Sequence, residues 1–189
     1  KEIMEQPQVI ENSTRGRVDL LAGRAVLGGL DEVRSRLKEI DRIVIVGCGS
    51  AFYAGLIGEY LIEELAGIPV EVELASEFRY RKPIITERTA VLAVSQSGET
   101  ADTLEAIAEA KRKNALTLGL VNTVGSSIAR ATDAGVYNHA GPEIGVASTK
   151  AFVSQMAVLS LIAVYLGQTR EFISESRARQ VLAGLHEMP

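Results

Sequence analysis

Short apolar runs alternate along the chain with longer segments in which apolar residues recur every three or four positions. The runs predict buried strands at about 42–47, 70–74, 90–95, 116–121 and 134–138. The periodic segments predict helices near 30–40, 51–66, 100–113, 125–131, 148–166 and 170–187. Such alternation is typical of a parallel sheet with helices on both faces. We therefore expect an α/β fold, a three-layer αβα sandwich around a doubly wound five-stranded parallel sheet.

Several helices carry signals for their ends and faces. The helix at 51–66 is expected to end at Gly67, with Pro69 beyond it. Its buried face is expected to carry Tyr53, Leu56, Ile57, Tyr60 and Leu61. Pro7 is expected to break any early helix. The most apolar stretch, Met156 to Leu166, is shorter than the ~20 residues that span a bilayer and is interpreted as a buried or interface helix.

Length and composition fit one domain with a sizeable core, because the chain has 189 residues, 47% of them hydrophobic and 23% charged. We divide it into a lead-in segment at 1–28, the sheet domain at 29–168 and a C-terminal helix at 169–189. The first residue is Lys1 and not methionine, which we interpret as a sign that the chain is part of a longer protein.

Charge and cysteine usage narrow the function classes. A net charge of −4 argues against a general nucleic-acid or anionic-membrane surface, although it permits a local site for one phosphate. The single cysteine excludes an internal disulfide and the usual zinc clusters. It fits a reducing, cytoplasmic setting, and we expect neither a metal nor a cofactor.

The strongest chemical signal is the loop Ser95–Thr100, which follows an apolar strand and precedes a helix predicted to begin near Ser97. The first turn of a helix has four N–H groups without acceptors and the positive end of the helix dipole, so it attracts anions. Three hydroxyl side chains add donors, and Gly98 lets the backbone approach a ligand closely. This pattern indicates a phosphate site. The alternative is that Ser97 is only the N-cap of the helix.

A second loop, Gly47–Ser50, stands in the same position after the first predicted strand. In a sheet of order 2-1-3-4-5 the first and third strands are neighbours, so the two loops face each other across a crevice. A dinucleotide fingerprint is the competing interpretation, because Gly47 and Gly49 match its first half. Phe52 stands where its third glycine is needed, and no acidic residue ends the second strand.

A third loop, Gly141–Lys150, leads from the fifth strand into the long helix. Ser148 is a plausible N-cap, which places the cation of Lys150 in the first turn, where the helix dipole disfavours it. A bound anion nearby would remove the conflict. Alternatively, Lys150 bends into solvent or pairs with an acidic neighbour.

The three loops together give the chain a resemblance to a known family. It resembles, nearly end to end, the first SIS (sugar isomerase) domain of the isomerising glutamine–fructose-6-phosphate aminotransferases, a flavodoxin-like α/β domain. Signature stretches of that family are similar to 1–7, 75–81, 95–100 and 143–152 of this chain.

The resemblance implies roles for individual residues. Family members hold the phosphate of fructose 6-phosphate on a loop that corresponds to Ser95, Gln96, Ser97 and Thr100. The other two loops are implied to contact the sugar through Cys48, Gly49, Ser50, Val146 and Ala147. Where the family usually reads Cys-Gly-Thr-Ser, this chain has Cys48 to Ala51, so Ser50 keeps one hydroxyl and Ala51 lacks the second.

The resemblance also implies that the catalytic residues lie outside this chain. In the family, the glutaminase nucleophile and the isomerase groups belong to other segments, so we expect no catalytic residue in this chain and only binding from it in isolation. The implied partners are hexose 6-phosphate, a glutaminase domain, a second SIS domain and a second copy in a homodimer. Two alternatives stay open: a stand-alone isomerase with Glu143 as base and His139 as helper, or a noncatalytic sugar-phosphate sensor. We expect His139 and His186 to be ordinary surface residues and Cys48 to be a small buried side chain.

Overall fold

The computed structural model describes all 189 residues and contains a parallel sheet of five strands. They are β3 to β7: Arg42–Gly47, Val70–Leu74, Thr89–Ser95, Leu116–Val121 and Ala134–Tyr137. The spatial order is β4-β3-β5-β6-β7, which is the predicted order 2-1-3-4-5. All four pairings are parallel. The fold class and the strand order are therefore confirmed.

Eight α-helices surround the sheet. In chain order, α1 to α8 are Gln6–Thr14, Arg34–Glu39, Ser50–Ala66, Ala75–Phe78, Ala101–Arg112, Ser127–Ala131, Lys150–Thr169 and Glu175–Glu187. Short 3-10 helices cover Glu2–Glu5 and Gly28–Val33. A small hairpin, β1 (Val18–Asp19) with β2 (Arg24–Ala25), precedes the sheet. The sequence pattern gave no sign of this hairpin, because each strand has only two residues.

Two separate cores lie on the two faces of the sheet because successive side chains of a strand point in opposite directions. Along β3, Ile43 and Ile45 belong to a core of 34 buried residues that includes α3, α7 and α8. Val44 and Val46 belong to a core of 12 buried residues on the other face, beneath α4, α5 and α6. This arrangement makes the three-layer sandwich.

The buried face of α3 differs from the prediction. Tyr53, Ile57 and Tyr60 are exposed to 61%, 37% and 76%. The buried residues are mostly small: Ala51, Ala54, Gly55, Gly58, Ile62, Leu65 and Ala66. Small residues let α3 lie close to the sheet and to α7, where a Cβ on Gly58 would stand 3.0 Å from Leu159. Close helix packing selects this face, and the larger aromatic side chains stay outside.

The prediction that Pro7 breaks any early helix is wrong. Helix α1 begins at Gln6, so Pro7 occupies its first turn, where the missing N–H has no acceptor to lose. The helix is anchored by Ser13, whose hydroxyl lies 2.6 Å from the carbonyl of Asn138 and 2.7 Å from Ser154 Oγ. The lead-in segment is thus packed on the sheet domain.

Helix α7 is long and apolar enough, by length and composition alone, to cross a membrane. In its most apolar window 72% of the residues are buried inside the fold. Core helices of globular domains have the same properties, so α7 is the buried helix that the sequence predicted.

Candidate functional site

The loop Ser95–Thr100 forms a tight turn at the carboxyl end of β5. The hydroxyl of Ser95, which is 4% exposed, accepts the N–H of Gly98 at 3.0 Å. The hydroxyl of the exposed Ser97 accepts the N–H of Glu99 at 3.2 Å. Because the Ser97 oxygen acts as an acceptor within the turn, its hydroxyl hydrogen remains available to a ligand, whereas the hydroxyls of Ser95 and Thr100 bond to each other at 3.4 Å.

Gly98 is required at its position for two reasons. Its φ is +68°, in the left-handed region that favours glycine. A Cβ built there would lie 2.1 Å from Ser126 Oγ. The carbonyl of Gly98 also accepts the N–H of Ile128 at 2.9 Å, so the loop is joined to α6.

The helix after this loop begins at Ala101, one residue from the start that periodicity predicts and four residues after Ser97, near which the loop pattern predicts it. Thr100 is the N-cap, so the interpretation of Ser97 as N-cap is wrong. The side chain of Thr100 makes no capping bond and lies 3.4 Å from Ser95 Oγ. The turn made by Ser95 and Ser97 delays the start of α5. The first N–H groups of α5 and the Thr100 hydroxyl therefore face the end of the sheet without helical partners.

Glu99 places a negative charge in the same loop, but its carboxylate is directed to α6. Its Oε1 accepts the N–H of Ser127 at 2.8 Å, at the start of that helix. Hydrogen bonding from Ser127 and the charge of Arg130 lower the pKa of Glu99. The carboxylate is therefore ionised at neutral pH and is neutralised by α6 and Arg130.

The loop Gly47–Ser50 lies beside the first loop because β3 and β5 are hydrogen-bonded neighbours. Val46 is paired with Ala93, so Cys48 and Ser95 follow two positions later on adjacent strands. Gly49 has a φ of +57°, and α3 begins at Ser50. The N-termini of α3 and α5 thus flank one crevice at the carboxyl edge of the sheet.

Ala51 and Cys48 differ in their surroundings. Ala51 is 6% exposed and belongs to the larger core, so its side chain packs inward and not into open crevice space. Cys48 is half-buried and packs against the smaller core.

A cavity of about 520 Å³ extends along the carboxyl ends of β5, β6 and β7. Its lining is polar: Gln96, Asn122, Thr123, His139, Gly141, Pro142 and Glu143. Asn122 shapes it by accepting the N–H of Ala140 at 2.7 Å and donating to the carbonyl of Gly141 at 2.7 Å. Gln96 belongs both to this cavity and to the loop Ser95–Thr100, so the cavity borders that loop.

Glu143 holds the start of α7. One carboxylate oxygen accepts the N–H groups of Thr149 at 2.9 Å and Ala151 at 3.1 Å, and the other accepts the Ser148 hydroxyl at 2.9 Å. Thr149, and not Ser148, is the N-cap residue. The anion at this helix terminus is therefore a side chain of the protein itself.

The N-terminal segment fixes the same loop from outside. Glu2 accepts the N–H of Ile144 at 2.7 Å and the N–H of Gly145. Glu5 lies 2.6 Å from the ammonium of Lys150, whose side chain is 6% exposed. Lys150 thus pairs with an acidic neighbour, one of the two alternatives expected for it. Sequence reasoning missed Glu2 and Glu5, since a separation of more than 140 residues leaves no local signal.

Of the other predicted residues, Val146 and Ala147 are exposed at the surface of this loop, and Val146 makes no buried contact. His139 and His186 are exposed, as expected. Partial burial and the nearby charge of Arg17 lower the pKa of His139, so its imidazole is neutral at pH 7.

The fold and the paired loops define a doubly wound α/β domain in which two helix N-termini flank a crevice at the carboxyl edge of the sheet. The family model of the SIS domain matches residues 36–165, and the chain belongs to this family.

Relatives of known activity give the same result. The chain is 53% identical over its whole length to a glutamine–fructose-6-phosphate aminotransferase (isomerizing) of Chlorobaculum tepidum and 49% identical to that of Bacteroides thetaiotaomicron. It spans 31% of the length of each. The C-terminal domain of the aminotransferase of Francisella tularensis superposes with a TM-score of 0.90 at 33% identity, covering 98% of this chain and 51% of that one. The domain is thus homologous to the isomerase part of these enzymes.

Proposed function

We propose that this chain binds the phosphate of a hexose 6-phosphate, fructose 6-phosphate or glucosamine 6-phosphate, in the crevice between the loops Gly47–Ser50 and Ser95–Thr100. The observation that carries the proposal is the set of uncommitted donors at the start of α5. The Ser97 hydroxyl and the first helical N–H groups supply these donors, and the Thr100 hydroxyl, which shares one hydrogen bond with Ser95, stands beside them.

The electrostatics of the crevice support the same assignment. Two helices, α3 and α5, direct the positive ends of their dipoles at it from neighbouring strands. The one acidic side chain of the phosphate loop, Glu99, is bonded to Ser127 and is directed at α6. A dianionic phosphate therefore meets donors and positive dipole ends, and the nearest loop carboxylate already has its own partners.

Sugar contacts are proposed for the residues around the phosphate. Cys48, Gly49 and Ser50 form the wall beyond β3, and Gln96 joins the crevice to the polar cavity. Val146 and Ala147 lie on the loop held by Glu2 and Glu143 and are proposed as sugar contacts because of the family resemblance. Both side chains are exposed, so they are accessible to a ligand or to a partner domain.

We infer that the chain works as the phosphate-anchoring part of a larger isomerising aminotransferase. The relatives that it matches are about three times as long, which leaves room for the glutaminase domain, a second SIS domain and a dimer partner. The chain alone is proposed to bind without catalysis, with its domain at 29–168, the lead-in at 1–28 and the C-terminal helix at 169–189.

The stand-alone isomerase is the weaker candidate because of Glu143. Its carboxylate accepts three hydrogen bonds from the start of α7, so the structure gives Glu143 a role in holding that helix terminus. Assays of fructose 6-phosphate and glucose 6-phosphate interconversion are expected to show no turnover by the chain. Turnover that is lost in Glu143→Gln would reverse this assignment. A noncatalytic sensor would use the same binding site. Only an activity assay of the parent protein distinguishes a sensor from a part of an enzyme.

Calorimetry of fructose 6-phosphate binding tests the site itself. Ser97→Ala and Thr100→Ala are each expected to weaken binding by about 1.5–3 kcal/mol, the worth of one charge-assisted hydrogen bond. Ser176→Ala, on the exposed start of α8, is the matched control and should bind like the parent. Unchanged affinity in the Ser97→Ala/Thr100→Ala double variant would overturn the assignment.

A further inference from the structure

A second polar cavity, of about 350 Å³, lies at the end of α7 that is far from the crevice. We call it the arginine pocket and define it by Arg24, Asp31, Arg34, Tyr165 and Thr169. Helix α7 runs from Lys150 at the crevice side to Thr169, about 28 Å along its axis. Arg170, the next residue, donates to the carbonyl of Ile40 just before β3. The arginine pocket therefore opens at the amino edge of the sheet.

The two arginines of the pocket have no acidic partner. Neither Arg24 nor Arg34 forms an ion pair, whereas nine other arginines of the chain do. Arg34 instead lies over the ring of Tyr165, with its guanidinium carbon 5.9 Å from the ring centre. They come from β2 and from the start of α2, so two separate elements bring the two positive charges to one cavity. Guanidinium groups are the side chains that suit phosphate best, because they donate in a planar fork.

The wall of the pocket also carries a buried polar group without a partner. The hydroxyl of Thr169, a residue 3% exposed, forms no hydrogen bond of normal geometry, although it lies near enough to the Tyr165 hydroxyl to act on the pKa of that phenol. A buried hydroxyl without a partner costs free energy, so a ligand or a water that bonds to it stabilises the site. The neighbouring Gln168 is not available, since its amide already bridges Ala25 N–H and the carbonyl of Gly23.

Tyr165 and Asp31 complete the lining and are bonded to each other. The Tyr165 hydroxyl donates to Asp31 Oδ1 at 2.9 Å. Burial, and then the Asp31 carboxylate, raise the pKa of Tyr165 to about 12, so the phenol is neutral and holds Asp31 in place. The second oxygen of Asp31 is left as an acceptor for a ligand hydroxyl. With two guanidinium groups and one carboxylate, the pocket has a net positive charge.

We propose that the arginine pocket is a second binding site, for the phosphate group of a small hydroxylated metabolite. Arg24 and Arg34 hold the phosphate, the Thr169 hydroxyl donates to it, and Asp31 accepts from a hydroxyl of the same molecule. The size of the cavity is at the lower end of the range of small-molecule sites. This site is independent of the crevice, since the two share no residue.

Titration of the ¹⁵N-labelled chain with inorganic phosphate tests the proposal, because backbone amide signals report each site separately. We expect saturable shifts of the amides of Ala25, Val26 and Leu27, apart from those of the loop Ser95–Thr100. Arg24→Gln or Arg34→Gln is expected to lower the phosphate affinity reported by the amides of Ala25, Val26 and Leu27 about tenfold or more. The affinity reported by the loop Ser95–Thr100 should stay unchanged. Arg177→Gln, which removes an exposed arginine paired with Glu64, is the matched control and should leave both sets unchanged.

Two further outcomes decide the chemistry. Thr169→Val keeps the shape of the side chain, and we expect it to weaken phosphate binding at the arginine pocket while the chain stays folded. Acetate at equal concentration should bind more weakly than phosphate, since it carries one charge and not two. Absence of a saturable shift at Ala25–Leu27, unchanged binding in Thr169→Val, or acetate binding as tight as phosphate would each overturn the proposal. Loss of shifts at Ser95–Thr100 alone would contradict the crevice assignment and not this one.

Discussion

The ammonium of Lys150 lies 2.6 Å from the carboxylate of Glu5, across 145 residues of sequence. Lys150 is the first residue of α7, where the helix dipole disfavours a cation, and its side chain is almost fully buried. Glu5 supplies the compensating charge, and Glu143 caps the same helix terminus. The N-terminal segment is thereby fastened to the loop that borders the crevice.

This ion pair makes stability depend on pH in the acidic range. The hydrogen bond from Lys150 lowers the pKa of Glu5 below its ordinary value of 4.5, so the folded state binds fewer protons than the unfolded state. The stabilisation is complete above pH 4.5 and is lost as the pH falls through the lowered pKa of the folded state. We expect Glu5→Gln to lower the free energy of unfolding at pH 7 and to remove this part of the acid dependence, as measured by urea unfolding from pH 7 to pH 3.

Glu11→Gln is the matched control for that series, since Glu11 forms an exposed pair with Arg15 on α1. It should change stability little at any pH. If the difference in free energy of unfolding between the parent and Glu5→Gln stayed constant from pH 7 down to pH 3, the proposed role of the ion pair would be contradicted.

Glu143→Ala is expected to destabilise the chain by about 1–2 kcal/mol, because it removes the acceptor of two helical N–H groups. Glu143→Gln retains one carbonyl oxygen and should cost less. Thermal or urea unfolding measures the stability of both variants. The difference between the two stabilities reports how much the remaining side-chain carbonyl of the glutamine contributes to the helix terminus. Equal stability of Glu143→Ala and the parent would show that the cap contributes nothing.

Gly98→Ala is expected to disrupt the phosphate loop. The positive φ costs about 1–2 kcal/mol for a residue with a Cβ, and the contact with Ser126 adds to it. Ser126→Gly in the Gly98→Ala background relieves the contact but not the backbone strain, so it should recover part of the stability. Gly125→Ala, also at positive φ but with open space around its Cβ, isolates the backbone contribution. If Gly98→Ala cost no more than Gly125→Ala, the close approach to Ser126 would be unimportant.

The sheet could be predicted from the sequence because its strands are buried on both faces and appear as uninterrupted apolar runs. The strand bounds differ from the structure by at most one residue, whereas the strand order rests on the resemblance to a flavodoxin-like domain and not on the alternation with helices. The loops at 47–50 and 95–100 were placed at neighbouring strand ends for the same reason. Hydroxyls and glycines directly after an apolar run are a local signal.

The failures have a physical cause in each case. Proline breaks a helix in its interior, but Pro7 lies in the first turn of α1, where its missing N–H has no acceptor to lose. The buried face of α3 was assigned to its largest side chains, whereas close packing against α7 selects glycine and alanine. The roles of Glu2, Glu5 and Glu143 depend on contacts that only the tertiary fold creates. Hydrophobic periodicity therefore predicts the helix and sheet layers of the sandwich. It does not predict which polar side chains hold the loops by hydrogen bonds.

The most direct test of the central claim is a comparison of fructose 6-phosphate with fructose as ligands of the parent chain, by calorimetry at one pH and salt concentration. If the donors at the start of α5 anchor the phosphate, fructose 6-phosphate binds and inorganic phosphate competes with it, while fructose gives no measurable heat. Equal binding of fructose and fructose 6-phosphate, or binding that inorganic phosphate does not displace, would contradict the assignment of the crevice.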